Sequence, residues 1–106
     1  MVQVTWRKAA LADLERFLEK AYLEYGATTM KRHISRIEEI EERLRNHPES
    51  FPLEPLLRGK RRRYKGAHIL GRFEIIYFYA PSTQHVYIVS LWDTRRNPDM
   101  LIQTVR

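Results

Sequence analysis

The sequence predicts an α+β fold in a single domain, 1–106: a two-helix hairpin packed on a twisted antiparallel sheet of about four strands, with a short C-terminal helix. Three observations predict it. Two apolar stripes with helical spacing follow one another on either side of Gly26. Runs rich in β-branched and aromatic residues then fill most of 61–92, separated only by short turns. The chain has 106 residues, of which 43% are hydrophobic, enough for one modest core and too apolar for disorder throughout.

Each element follows from local pattern. Val2 to Trp6 alternates and is β-branched or aromatic at most positions, so it reads as a short strand. Leu11, Leu14, Leu18, Ala21, Tyr22 and Tyr25 recur every three or four residues, one face of a helix that Gly26 is placed to end. Thr28 or Thr29 can cap a second helix, whose stripe is Met30, Ile34, Ile37, Ile40 or Glu41, and Leu44. Its other side mixes Glu38, Glu39, Glu41 and Glu42 with Arg43 and Arg45, a solvent-facing surface, and Asn46-His47-Pro48 stops it. So short a link between two helices favours an antiparallel hairpin.

Residues 47–59, with Pro48, Pro52, Pro55 and Gly59, form a loop whose Phe51, Leu53, Leu56 and Leu57 are expected to tuck under the helices. Arg61 to Leu70 reads as a strand kinked at Gly66, and Gly71 as the turn after it. Phe73 to Tyr79 is strand throughout, and both of its alternate sets are apolar, so periodicity alone does not say which set faces the helices. Pro81 to Gln84 turns the chain into a further strand, His85 to Trp92. Asn97-Pro98-Asp99 then combines a capping side chain, a proline suited to the first helical position and an acid at the positive end of the dipole. The late strands should form an antiparallel meander, with the hairpin on one face and the other face left open.

Composition excludes several functions. No apolar run approaches the ~20 residues of a membrane span, and no secretory signal opens the chain, so a cytoplasmic protein with no membrane partner is expected. Cysteine is absent, and His33, His47, His68 and His85 are scattered without ligand spacing, so neither a metal site nor a cofactor is expected. The lone serines sit in no nucleophile setting.

The formal charge of +6 is unevenly placed. Residues 1–52 carry nine bases and nine acids, whereas 53–106 carry ten bases and four acids. Seven of those bases and no acid fall between Arg58 and Arg72. A focused positive surface suits a polyanion. Arg58, Lys60, Arg61, Arg62, Arg63 and Lys65 could clamp phosphates, and Tyr64, flanked by charge, is the aromatic best placed to stack on bases. Arg72, Arg95 and Arg96 extend the same basic half. RNA cleavage on such a surface needs no metal: the ribose 2′-OH attacks its own phosphate, side chains move the protons, and arginines stabilise the charge that develops.

An ordered set of residues resembles the RelE/ParE toxin superfamily. It comprises a first strand ending in Trp6, Ala12-Asp13-Leu14 in the leading helix, and a charged second helix stopped at Pro48. It continues with the basic stretch before Gly71-Arg72-Phe73-Glu74-Ile75-Ile76-Tyr77 and the closing Trp92-Asp93-Thr94-Arg95-Arg96-Asn97-Pro98. The resemblance implies a growth-arresting toxin of a type II toxin–antitoxin module, of the kind associated with plasmid stabilisation, whose partner is an acidic or amphipathic antitoxin. RelE-like members cleave mRNA on the ribosome, and ParE-like members poison DNA gyrase without catalysis; the ribonuclease is the expectation adopted here and gyrase inhibition the alternative.

Carried over by position, the family's sheet arginine falls on Glu74, and Arg72, two places earlier, is the substitute on the same face. The arginine after the last strand matches Arg95 or Arg96, and the tyrosine of the final helix falls near Met100 or Leu101 and is missing. The basic residues from Arg61 to Lys65 match the family's second-strand region. The reading adopted puts Arg72, Arg95 and Arg96 on the phosphate, takes Tyr77 or His68 for proton transfer, and places Arg58, Lys60, Arg61, Arg62, Arg63, Tyr64 and Lys65 on RNA.

Overall fold

A computed structural model describes residues 1–105. The chain runs β1 (Gln3–Trp6), α1 (Lys8–Tyr25), α2 (Ala27–Asn46), a 3₁₀ turn (Pro55–Leu57), β2 (Lys65–Ile69), β3 (Phe73–Ala80), a second 3₁₀ turn (Pro81–Thr83), β4 (His85–Asp93) and α3 (Pro98–Thr104). One residue makes the helical hairpin. Gly26 has φ 89° and ψ −178°, a conformation open essentially to glycine alone, and its N–H donates to the Tyr22 carbonyl at 2.8 Å. Helix α2 begins at the next residue with no side-chain cap, so Thr28 and Thr29 lie inside its first turn and do not precede it as caps.

The sheet has the order β1-β4-β3-β2. Strands β2, β3 and β4 form the antiparallel meander that their short turns predict. Strand β1 joins the far edge parallel to β4, with Gln3 beside His85 and Trp6 beside Ile88, so the sheet is mixed and not wholly antiparallel. Parallel pairing needs a long crossover, and everything from α1 to β3 supplies it. Between β3 and β4 the register slips: Ile76 faces Ser90 but Tyr77 faces Ile88, leaving Val89 as the extra residue of a bulge.

Both faces of the sheet are buried. On one, Ala10, Phe17, Ile37, Ile40 and Leu44 of the hairpin pack on Ile69, Ile75, Tyr77, Val86, Ile88 and Leu91. On the other, Ile76, Phe78 and Trp92 pack on Leu57, Tyr64, Leu101 and Val105. The second face is therefore closed by the 3₁₀ turn, the residue before β2 and α3, where an open surface was expected. This is why β3 carries apolar residues on both alternate sets. Leu57 serves this second core, Phe51 the first, while Leu53 and Leu56 stay partly in solvent, so only one of the four loop residues packs beneath the helices as expected. Among the described residues no helix is long and apolar enough to cross a membrane.

Closure of the second face has a measurable consequence. Leu101→Ala should lower the unfolding free energy by about 2–5 kcal/mol in urea titrations. An open face would give a change nearer ~0.5 kcal/mol, the usual range for a surface position.

Candidate functional site

The basic run lies mostly outside the sheet. Strand β2 begins only at Lys65, and Arg61, Arg62 and Arg63 occupy the bend before it instead of a strand from 61 to 70. Arg58 and these three arginines are exposed, whereas both lysines are engaged. Lys60 Nζ donates to the Ile102 carbonyl at 2.5 Å, tying the loop to α3, and Lys65 Nζ donates to the Phe51 carbonyl at 3.1 Å. Tyr64, expected to stand free for stacking, is only 4% exposed and sets its edge against Phe78, ring centres 5.8 Å apart. Arg62 and Arg63 before it are exposed while the ring turns in, a bend that composition does not reveal.

Three of the arginines assigned to phosphate do meet. Arg72, in the turn between β2 and β3, and Arg95 and Arg96, after β4, line one cleft of about 590 Å³ between α1 and α3. The Arg72 carbonyl accepts from both the backbone N–H and the hydroxyl of Thr94, each at 2.7 Å, which fixes the two chain turns against one another. Arg95 closes on Asp93 through its Nε at 3.3 Å and a terminal nitrogen at 3.0 Å, and this hydrogen bonding holds the Asp93 carboxyl below the usual carboxylate range. Arg16 and Lys20 of α1 line the opposite wall, with Asp13 and Glu24 among them. His33 also reaches the cleft, edge-on to Phe17 at 4.8 Å; burial, and then the charge of Arg32, lowers its basicity.

The two residues named for proton transfer do not reach this cleft. Tyr77 is fully buried on the helix-covered face, where its hydroxyl donates to the Pro48 carbonyl at 2.9 Å and holds the loop after α2. Burial pushes its phenol far above the usual value. His68 is exposed on β2, its Nε2 lying 3.4 Å from Glu74 Oε2.

Glu74 itself is not on an open positive face. It is 4% exposed, and its carboxyl shares a hydrogen bond with that of Glu54, which is 9% exposed. Trp92 Nε1 donates to Glu74 Oε1 at 3.2 Å, and the Leu56 N–H donates to Glu54 Oε1 at 3.1 Å. Burial, reinforced by the bond to Glu54 and by its charge, pushes the Glu74 carboxyl up to about 8 against the opposing pull of Trp92. At neutral pH the pair therefore holds a proton between its oxygens. Gly66 makes the room: a Cβ there would stand 2.5 Å from Glu74 Oε2 and 3.2 Å from Glu54 Oε2. The glycine does not kink β2, which stays in register with β3 from Lys65 to Ile69. The pair went unrecognised in the sequence, although the signal is there: one acid inside Phe73–Tyr79 and another between Leu53 and Pro55, both flanked by apolar residues.

Comparison with known proteins decides the family. Residues 4–98 match the ParE toxin of the type II toxin–antitoxin system, parDE. The chain belongs to the ParE toxin family. It is thus a type II toxin, and membership implies an antitoxin partner. Its fold is that of two solved structures, each 14% identical. A chromosomal ParDE TA system from P. aeruginosa aligns over 88% of this chain and 96% of that one, with TM-score 0.67. A metal-bound toxin from Helicobacter pylori aligns over 90% and 97%, with TM-score 0.65. Among the described residues of this toxin, no three His, Asp or Glu side chains gather to hold an ion. No curated protein matches it in sequence.

The buried carboxyl pair sets a pH dependence. A carboxyl with its value raised from 4.5 to about 8 on folding binds more protons in the native state than in the unfolded one. Stability should therefore fall as pH rises from about 4.5 to 8 and level off above, by denaturant titration at a series of pH values. Glu74→Gln, which stays neutral and can donate to Glu54, should flatten that slope and be the more stable form at pH 8. Gly66→Ala should cost about 1–3 kcal/mol by overpacking. The cost should shrink when Glu74→Ala is made in the same chain, since the two changes share one contact.

Proposed function

We propose that this toxin arrests growth by the ParE-like route, binding DNA gyrase without catalysis, and that its basic cleft receives the antitoxin. The observation that carries this reading is the separation of roles within the fold. Arg72, Arg95 and Arg96 line the cleft, but Tyr77 is sealed into the first core and His68 stands on β2 beside Glu74. A ribonuclease that used Tyr77 or His68 would have to bring it to the phosphate that these arginines hold, within hydrogen-bond reach. A contact inhibitor needs only a shaped, charged surface.

The same cleft suits the antitoxin expected of a type II module. Its cations favour an acidic segment, and Tyr25, exposed by 66% at the end of α1, adds an aromatic ring to its lining. An amphipathic segment covers both features, with its acids on Arg72 and Arg96 and its apolar side on Tyr25. Target and antitoxin would then compete for neighbouring surface, which is how binding could neutralise a toxin without unfolding it.

Induction of the toxin should stop growth, accumulate gyrase–DNA cleavage complexes and leave messages intact, and co-expression of its antitoxin should restore growth. Codon-phased mRNA cuts in a translating extract, lost in Arg95→Ala with Arg96→Ala, would establish the ribonuclease instead. Growth untouched by induction would overturn the toxin role as a whole.

A further inference from the structure

The second face of the sheet carries a feature at the opposite end of β4 from the cleft. Four rings follow one another there: Tyr64 edge-on to Phe78 at 5.8 Å, Phe78 tilted on Tyr87 at 5.3 Å, and Tyr87 stacked on His85 at 4.3 Å with 10° between the planes. Two guanidinium groups lie over this row. Arg62 Cζ is 4.1 Å from the Phe78 centre, and Arg7 Cζ is 5.1 Å from both the Phe78 and the Tyr87 centres. The Thr5 hydroxyl and His85 Nε2 are 2.6 Å apart, which fixes the imidazole at the end of the row.

The arrangement brings two like charges onto one phenyl ring without a counter-ion. Among the described residues neither Arg7 nor Arg62 has a carboxylate within ion-pairing distance. Four of the acids are committed elsewhere, Glu54 and Glu74 to one another, Asp93 to Arg95 and Glu41 to the Trp6 indole. Cation–π attraction holds each guanidinium over the rings, and among the described residues neither forms a side-chain hydrogen bond. A guanidinium held in this way keeps its N–H donors for a phosphate, and a row of rings beside it is suited to bases.

We propose that Arg7 and Arg62, with Tyr87 and His85, bind a single-stranded nucleic acid. The phosphates sit on the two guanidinium groups and a base lies along the Tyr87–His85 stack. This goes beyond the gyrase reading and does not rest on it, since none of these four residues lines the cleft. An acidic peptide would satisfy the two cations but would leave the aromatic stack unused, so the single strand is the better fit.

Fluorescence anisotropy with labelled ~10-nucleotide single strands, one DNA and one RNA, tests the assignment at the length one small binding surface spans. Either strand should bind, with affinity falling as salt rises; a preference for one identifies the sugar. Arg7→Gln with Arg62→Gln should weaken binding about tenfold or more and reduce the salt slope by about 1.4, the loss of two single-strand phosphate contacts. Tyr87→Ala should weaken binding about tenfold while leaving the salt slope unchanged, a split that a general loss of structure would not give. Arg45→Gln, on the hairpin and paired with Glu42, should bind as the parent does. Circular dichroism confirms that each variant is folded. Undetectable binding of both strands, equal weakening by Arg45→Gln, or displacement of the bound strand by polyglutamate at equal charge would overturn the proposal.

Discussion

Strand β3 is apolar on both faces, and that single constraint organises the molecule. A strand with Ile75 and Tyr77 on one side and Ile76 and Phe78 on the other cannot leave either side in water. The hairpin of α1 and α2 covers the first side. The second must be covered by whatever the chain has left, which is the 3₁₀ turn, the Tyr64 corner and α3. The cover is thin, and it is pinned by specific bonds: Lys60 to the Ile102 carbonyl, and Glu54, anchored at the 3₁₀ turn, to Glu74 of the sheet. The carboxyl pair is thus the polar fastening of an otherwise apolar interface, and burial is tolerable because a proton removes one of the two charges.

The same constraint explains what could be read from the sequence and what could not. The hairpin was legible because helical stripes and a glycine turn are local, and β3 was legible because six of the seven residues from Phe73 to Tyr79 are β-branched or aromatic. Its two-sided apolarity was visible as well, but the conclusion that a second layer must exist requires knowing that the 3₁₀ turn and α3 return to it. The parallel pairing of β1 with β4 was not legible, since no local pattern records a contact across some eighty residues. Tyr64 misled for a related reason: at a bend a ring can turn into the core while the arginines before it stay exposed.

The candidate site shows the same division. The arginines of the basic half were legible as charge, and the grouping of Arg72 with Arg95 and Arg96 follows from the turns that hold them. The roles given to Tyr77 and His68 rested on residue type alone, and the fold puts a sealed phenol and a surface imidazole at those positions. Arg7 drew no notice, because it lies in a neutral half and gains meaning only when β1 lies beside β4. The positive surface of this toxin is accordingly divided between a cleft near Asp93 and a ring-lined patch near His85, at the two ends of one strand.

The far-edge position of β1 also carries a consequence for how the toxin is made. A chain emerges from the ribosome N-terminal end first, at about 5–20 residues per second. Strand β1 leaves the ribosome some eighty residues before its partner β4, so for several seconds the sheet has no completed edge and Arg7 has no ring to lie on. The nascent chain passes through a harmless interval before its surface exists. Any protein that must meet the toxin before it reaches its target has that interval in which to do so.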